Sequence, residues 1–230
     1  MVARILLATC AWTAPQVALV MDDLGFNLWS VKAVAAFPCR MTGSIIPSTR
    51  YVALSASILH TAGKEVFVHM PMTSKRIQEE TDPLLIRPRL TCSETTRRLH
   101  VAIDLVPYAV GMNNHEGGFA TTNRETMDCV MSALPRQFMF LDSSTTPKTK
   151  AWMAARAAGL PWSRCNIFLL GNTPKDLERS FQDALKIAKK RGSVVVIAHP
   201  YKMAVEELPG LIRNAKRQGF KFVPATETHR

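Results

Sequence analysis

Val17-Ala18-Leu19-Val20-Met21-Asp22-Asp23-Leu24-Gly25 decides how the chain folds. Five apolar residues, two of them valine, read as a buried strand, and the run stops on two adjacent carboxylates followed by a Leu-Gly turn signal. Acids placed directly after a buried strand are costly unless a cation, hydrogen bonds or protonation compensates for them. In parallel α/β folds the C-terminal ends of strands are where ligands bind and chemistry is done. An Asp-Asp pair there can supply one metal ligand and one general base. Equally, one Asp can cap the next helix while the other is solvated.

The rest of the chain repeats this arrangement. Strands are predicted at 42–47, 65–68, 109–112, 138–141, 166–170, 193–198 and 220–223. Between them lie predicted helices over 27–37, from a cap at Ser48 or Thr49 through 59, 91–106, from the Thr122-Asn123-Arg124-Glu125 box to 134, 148–158, 174–191 and 204–218. Seven or eight βα units predict an α/β fold, a distorted parallel (β/α) barrel with outer helices; an open doubly wound sheet is the alternative. Residues 15–230 form one predicted domain. Residues 1–14 are expected to be a short N-terminal extension or a vestigial signal segment. No glycine-rich phosphate loop follows any strand, which argues against dinucleotide or P-loop binding.

The 230 residues carry a formal charge of +11, spread over apparent helix faces rather than in one block. This suits peripheral association with an anionic envelope surface and gives no sign of a specific nucleic-acid site. No stretch approaches the ~18 consecutive apolar residues of a membrane span. The five cysteines are widely spaced and include no CxxC pair, so neither a zinc knuckle nor a disulfide framework is expected.

Five strands end on polar residues: Asp22 and Asp23; His69; Asn113, Asn114 and His115; Asp142 and Ser143; and His199. A barrel brings such positions to one rim. One carboxylate and two imidazoles with an open position make a familiar catalytic zinc shell, here drawn from separate loops rather than an HExxH helix. No GxSxG elbow is present, and no cysteine sits at a strand end, so serine and cysteine nucleophiles fit less well.

In order, Val20-Met21-Asp22-Asp23-Leu24-Gly25, Glu65-Val66-Phe67-Val68-His69-Met70-Pro71-Met72, Val110-Gly111-Met112-Asn113-Asn114-His115-Glu116-Gly117, Phe140-Leu141-Asp142-Ser143 and Ile197-Ala198-His199-Pro200 resemble the divergent polysaccharide deacetylase family. The resemblance covers residues 16–226. It implies a divalent cation, usually Zn2+, and hydrolysis of N-acetyl (or O-acetyl) groups on an envelope polysaccharide in the periplasm or cell envelope, with the cytoplasm as the alternative. By the same resemblance Asp22 is the general base and Asp23 and His69 are metal ligands. The superfamily's second histidine falls at Thr73, and His115 is the candidate replacement. His199 maps to the general acid, and Asn113, Asn114, Asp142 and Ser143 orient these groups or bind the sugar. Glu116 stands where the family tends to have methionine; it would either join the metal or disturb the site. A catalytically impaired glycan-binding or scaffold protein of the same fold is the other reading. The irregular segment 70–90, with Lys75, Arg76, Arg87 and Arg89, is expected to form a wall of the substrate cleft.

Overall fold

The computed structural model describes residues 14–74 and 82–228. Its elements are β1 (Gln16–Leu24), α1 (Leu28–Ala35), β2 (Thr42–Ile45), α2 (Val52–Thr61), β3 (Glu65–Met72), α3 (Cys92–Leu105), β4 (Ala109–Glu116) and α4 (Arg124–Ala133). They continue with β5 (Met139–Asp142), α5 (Ala151–Ala157), β6 (Trp162–Arg164), β7 (Ile167–Phe168), α6 (Pro174–Arg191), β8 (Ser193–Ala198), α7 (Lys202–Arg217) and β9 (Lys221–Val223). The strands form one parallel sheet in the order β6-β5-β4-β3-β2-β1-β8-β7. β9 pairs with Gln16–Ala18 of β1 and β2 with its later residues, so two strands share one edge.

β6 and β7 lie at opposite ends of that order, yet only Cys165 and Asn166 separate them in the chain. Three residue steps span at most about 11 Å. The sheet must therefore curl until its ends meet, which is the distorted barrel expected from the sequence. The linking residues bond to both sides: Cys165 N–H donates to the Asp142 carbonyl and Asn166 N–H to that of Val195, each at 2.9 Å.

Period-two alternation sorts the side chains. Val17, Leu19 and Met21, Val66, Val68 and Met70, Met112, Phe140, Val194 and Val196 join the core between sheet and helices. Ala18, Val20, Phe67, Met139, Leu141, Val195, Ile197 and Val223 form a smaller core inside the barrel. Phe67 is its largest member and fully buried, worth ~1.5–3 kcal/mol by burial alone. Gly111 makes room for it, since a Cβ there would collide with the Phe67 ring and with the Met139 carbonyl.

Helix starts follow short polar caps. Asn27, Thr91 and Thr173 accept from the N–H of Ser30, Glu94 and Asp176, and Gly192 at φ +84° closes α6. Two expected caps are corrected. α4 is capped by Asn123 rather than Thr122. α2 begins after Tyr51 with no side-chain cap, because Ser48 bonds to Asp82 and the Thr49 hydroxyl donates to the Ile46 carbonyl. β6 has no counterpart in the sequence reading, since Trp-Ser-Arg offers no apolar run.

The cysteine expectation is also corrected. Cys92 and Cys129 form a disulfide that ties α3 to α4, a pairing across 37 residues that only the helix packing reveals. Cys39 and Cys165 are free, with burial pushing their thiols up to about 11 and about 12. In the chain-entropy picture, closing a loop of this length stabilises by ~4 kcal/mol at most, and ~2–4 kcal/mol is typical. Reduction, or Cys129→Ala, should therefore lower the unfolding free energy by ~2–4 kcal/mol in denaturant titration. If reductant leaves the midpoint of the parent unchanged, the bond does not carry stability.

Candidate active site

The alternation that fills the barrel also builds its rim. Inward positions continue past Val20 to Asp22, past Phe67 to His69, past Gly111 to Asn113 and His115, and past Ile197 to His199. A polar layer therefore caps the inner core. Its strands run further than expected: β3 passes through His69 to Met72, and β4 passes through His115 to Glu116.

Asp23 breaks the alternation. In a regular strand it would face away from Asp22. Its φ is +55°, and the β1–β2 register shifts between Met21 and Leu24. This bulge brings both carboxylates to one imidazole, with His69 Nε2 3.2 Å from Asp23 Oδ1 and 3.5 Å from Asp22 Oδ2. The left-handed backbone here is strain at a site, the kind that persists only when neighbours over-determine it.

Three donor atoms converge. Asp23 Oδ1 lies 2.9 Å from His115 Nδ1 and 3.2 Å from His69 Nε2, and the two nitrogens are 3.2 Å apart. These are the residues among those described that group as a metal-holding set. Ligands at 2.0–2.1 Å around a tetrahedral cation would be about 3.3–3.4 Å apart, close to what is seen. Asp23 Oδ1 is buried and forms no hydrogen bond. Such an oxygen flanked by two basic nitrogens fits a divalent cation.

Asn113 holds the layer together. Its Oδ1 accepts from the Ser44 hydroxyl and stands 2.9 Å from His69 Nδ1. An amide oxygen only accepts, so Nδ1 carries the proton and Nε2 keeps its lone pair for the cluster. Its Nδ2 donates to both Asp22 oxygens, at 2.9 and 3.1 Å, and to Ser143 Oγ at 3.1 Å. Burial raises the pKa of Asp22, against the lowering pull of His69 and Asn113. For Asp23, burial is outweighed by the imidazoles of His115 and His69, and its carboxyl is held far below the usual range. His69 is raised: burial opposes its charged form, but Asp22, Asp23 and Asn113 outweigh it.

His199 stands on the other side of Asp23, its Nε2 3.8 Å from Oδ2, beside the rings of Phe168 and Tyr201. The remaining candidates are buried. Asn114 Oδ1 accepts from Ser143 N–H and its Nδ2 donates to the Glu116 carbonyl. Asp142 accepts from Ser144 N–H, the Thr149 hydroxyl and Trp152 N–H, which fixes the loop into α5, and burial raises its pKa. Thr73 bonds to Ile86 rather than to the cluster: its N–H and its hydroxyl both reach the Ile86 carbonyl, and its own carbonyl accepts from Phe119 and Ala120. Ser44 escaped the sequence reading; the inward pair Thr42-x-Ser44 on an otherwise apolar strand was the available signal.

A cleft of about 190 Å³ opens beside His115, between Phe26 and Ile46 on one side and Pro71, Met72, Asp82 and Leu85 on the other. Pro71, Met72, Asp82 and Leu85 of segment 70–90 line this cleft, with Leu84, Leu85 and Ile86 buried, whereas Arg87 and Arg89 are not among its lining residues, so the expected basic wall is not formed by them. Lys75 and Arg76 lie outside the described residues, so their expected part in that wall has no structural description. Among the described residues, no helix is long and apolar enough to cross a membrane.

Comparison with known proteins gives the chain's family and its fold. A family model for divergent polysaccharide deacetylases matches residues 19–229. The uncharacterized Escherichia coli (strain K12) protein YibQ is 33% identical over 205 residues, which are 87% of this chain and 63% of YibQ. The chain thus spans less than two thirds of that relative. An uncharacterized protein of Agrobacterium tumefaciens C58 has a TM-score of 0.87 at 20% identity, over 93% of this chain and 89% of its own. A CE4 family pseudoenzyme from Bacillus anthracis has a TM-score of 0.55 at 15% identity, over 94% and 66% respectively. At such identities the structural likeness carries the fold alone.

Proposed function

The chain belongs to the divergent polysaccharide deacetylase family, and on that premise we propose that it is a metal-dependent hydrolase removing N-acetyl groups from an envelope polysaccharide. The observation that carries this reading is the convergence of Asp23 Oδ1, His69 Nε2 and His115 Nδ1 beside a buried acid and a second-side histidine. Asp23, His69 and His115 would hold a divalent cation, with Zn2+ suiting one carboxylate and two imidazoles. When bound, the cation supplies Lewis-acid polarisation of water and of an acyl carbonyl.

The protein's own groups do the proton work. Asp22 is held by Asn113 through both oxygens and would take a proton from the attacking water. His199, across Asp23 from the imidazole pair, would give one to the departing amine. Asn113 fixes the His69 tautomer, and Asn114, Ser143 and Asp142 keep the surrounding loops in place, a positioning role rather than sugar contact. Exposed Phe26, Phe119 and Tyr201 stand after β1, β4 and β8, where a sugar ring could stack. The Cys92–Cys129 bond supports a periplasmic or envelope location, since oxidising compartments sustain disulfides. The charge of +11 suits peripheral attraction to an anionic envelope surface.

Thr73, in place of a second family histidine, and the pseudoenzyme among the structural neighbours favour a second reading, a glycan binder without turnover. Elemental analysis together with an acetate-release assay on N-acetylglucosamine oligomers separates the two. The hydrolase reading expects about one divalent ion per chain and acetate release that a chelator stops. A bound ion without release from any acetylated glycan would leave the glycan binder.

A further inference from the structure

The barrel closes at Cys165 and Asn166, but its seam does not close along the whole length. β6 pairs with β5, and β7 reaches β8 only through Val196 and Ile197. The earlier residues of β8 thus face the seam without a strand partner on that side. A cavity of about 310 Å³ sits there, lined by Ser163, Arg164, Asn166, Arg191 and Ser193 among others. That volume is at the lower end of sites for small ligands. No carboxylate is among the described residues that line it.

The lining offers donors that the fold leaves unused. Ser163 is 4% exposed, its hydroxyl bonds to no described residue, and the oxygen is not sealed off, so it opens on the cavity. Asn166 Oδ1 accepts from Val195 N–H at 2.8 Å, which leaves its amide N–H groups to give. Arg164 is held in place: its Nε lies 3.4 Å from Ser144 Oγ and 4.0 Å from Asp142 Oδ2, and its guanidinium rests over the Trp152 ring. Arg191 ends α6 and forms no ion pair with a described residue.

We propose that this seam cavity binds a phosphate monoester. Two guanidinium groups around one cavity repel each other, and an anion between them removes that cost. Their planar forks match phosphate oxygens through paired, charge-assisted hydrogen bonds. A phosphate monoester brings close to two negative charges near neutral pH and three terminal acceptor oxygens. A carboxylate brings one charge and two oxygens, and would leave one guanidinium and the hydroxyls unmatched. The inference does not depend on the hydrolase reading, because the cavity shares no residue with Asp23, His69 and His115.

The test is calorimetric titration of the full chain at low ionic strength with glucose 6-phosphate, and with glucuronate as the carboxylate control. Glucose 6-phosphate should bind and glucuronate should bind at least tenfold more weakly. Arg191→Gln should weaken glucose 6-phosphate about tenfold, the scale of one charge-assisted hydrogen bond, and Ser163→Ala about fivefold. Lys190→Gln removes the same charge one residue away, outside the cavity, and should change little. Sedimentation with phosphatidylcholine vesicles, with and without phosphatidic acid, separates the sources: a loss in Arg191→Gln seen only there assigns the phosphate to a lipid headgroup. Equal losses in Arg191→Gln and Lys190→Gln would reduce the effect to the general charge of the chain and overturn the site. So would equal affinity for glucuronate, or binding to neither the sugar phosphate nor the phosphatidic acid vesicles.

Discussion

Asp22→Asn should reduce acetate release by ~10²–10⁴-fold while cation content stays at the parental level. The residue is 2% exposed and receives both of its short hydrogen bonds from the Asn113 amide. An asparagine there keeps an oxygen for Asn113 and the same volume, so the barrel rim should hold. What it loses is the capacity to take a proton. His199→Ala should show the same signature for the other reason: its Nε2 is 3.8 Å from Asp23 Oδ2, outside the tight cluster, so its removal should cost proton delivery and not metal. Turnover near the parental rate in Asp22→Asn would sink its assignment as the base. Loss of the cation in His199→Ala would make that histidine a ligand instead.

Much of this site could be read from sequence because one rule governs both core and rim. Alternating positions that send Val20, Phe67 and Ile197 into the barrel send Asp22, His69 and His199 to its top. The rule has no term for a bulge. Asp23 joins the cluster through a left-handed residue, and nothing in Asp-Asp-Leu-Gly distinguishes that from a regular strand end. Adjacency likewise misleads at Asn113-Asn114 and Asp142-Ser143. Neighbours on a strand face opposite ways, so Asn113 touches the catalytic candidates while Asn114 and Asp142 bond to the adjoining loops. The Cys92–Cys129 bond and β6 depend on which helices and edges meet, which local pattern does not encode.

His115→Ala should empty the metal site while leaving the fold intact. The choice of His115 over His69 matters. His69 is almost fully buried and hydrogen-bonded to Asn113, so its loss would disturb Asp22 and Ser143 through that amide. His115 is a half-buried rim residue whose Nδ1 faces Asp23 and His69. With it gone, two protein donors remain, too few for a stable catalytic zinc shell. A ligand that binds only the folded state at a hundred times its dissociation constant stabilises by ~2.7 kcal/mol. Chelator should therefore lower the melting temperature of the metal-loaded parent by several degrees and leave that of His115→Ala unmoved. Elemental analysis should read about one divalent ion per parent chain and close to none in the variant. If the variant keeps the ion, or if chelator shifts both proteins alike, the third ligand lies elsewhere and Asp23, His69 and His115 are not the metal set.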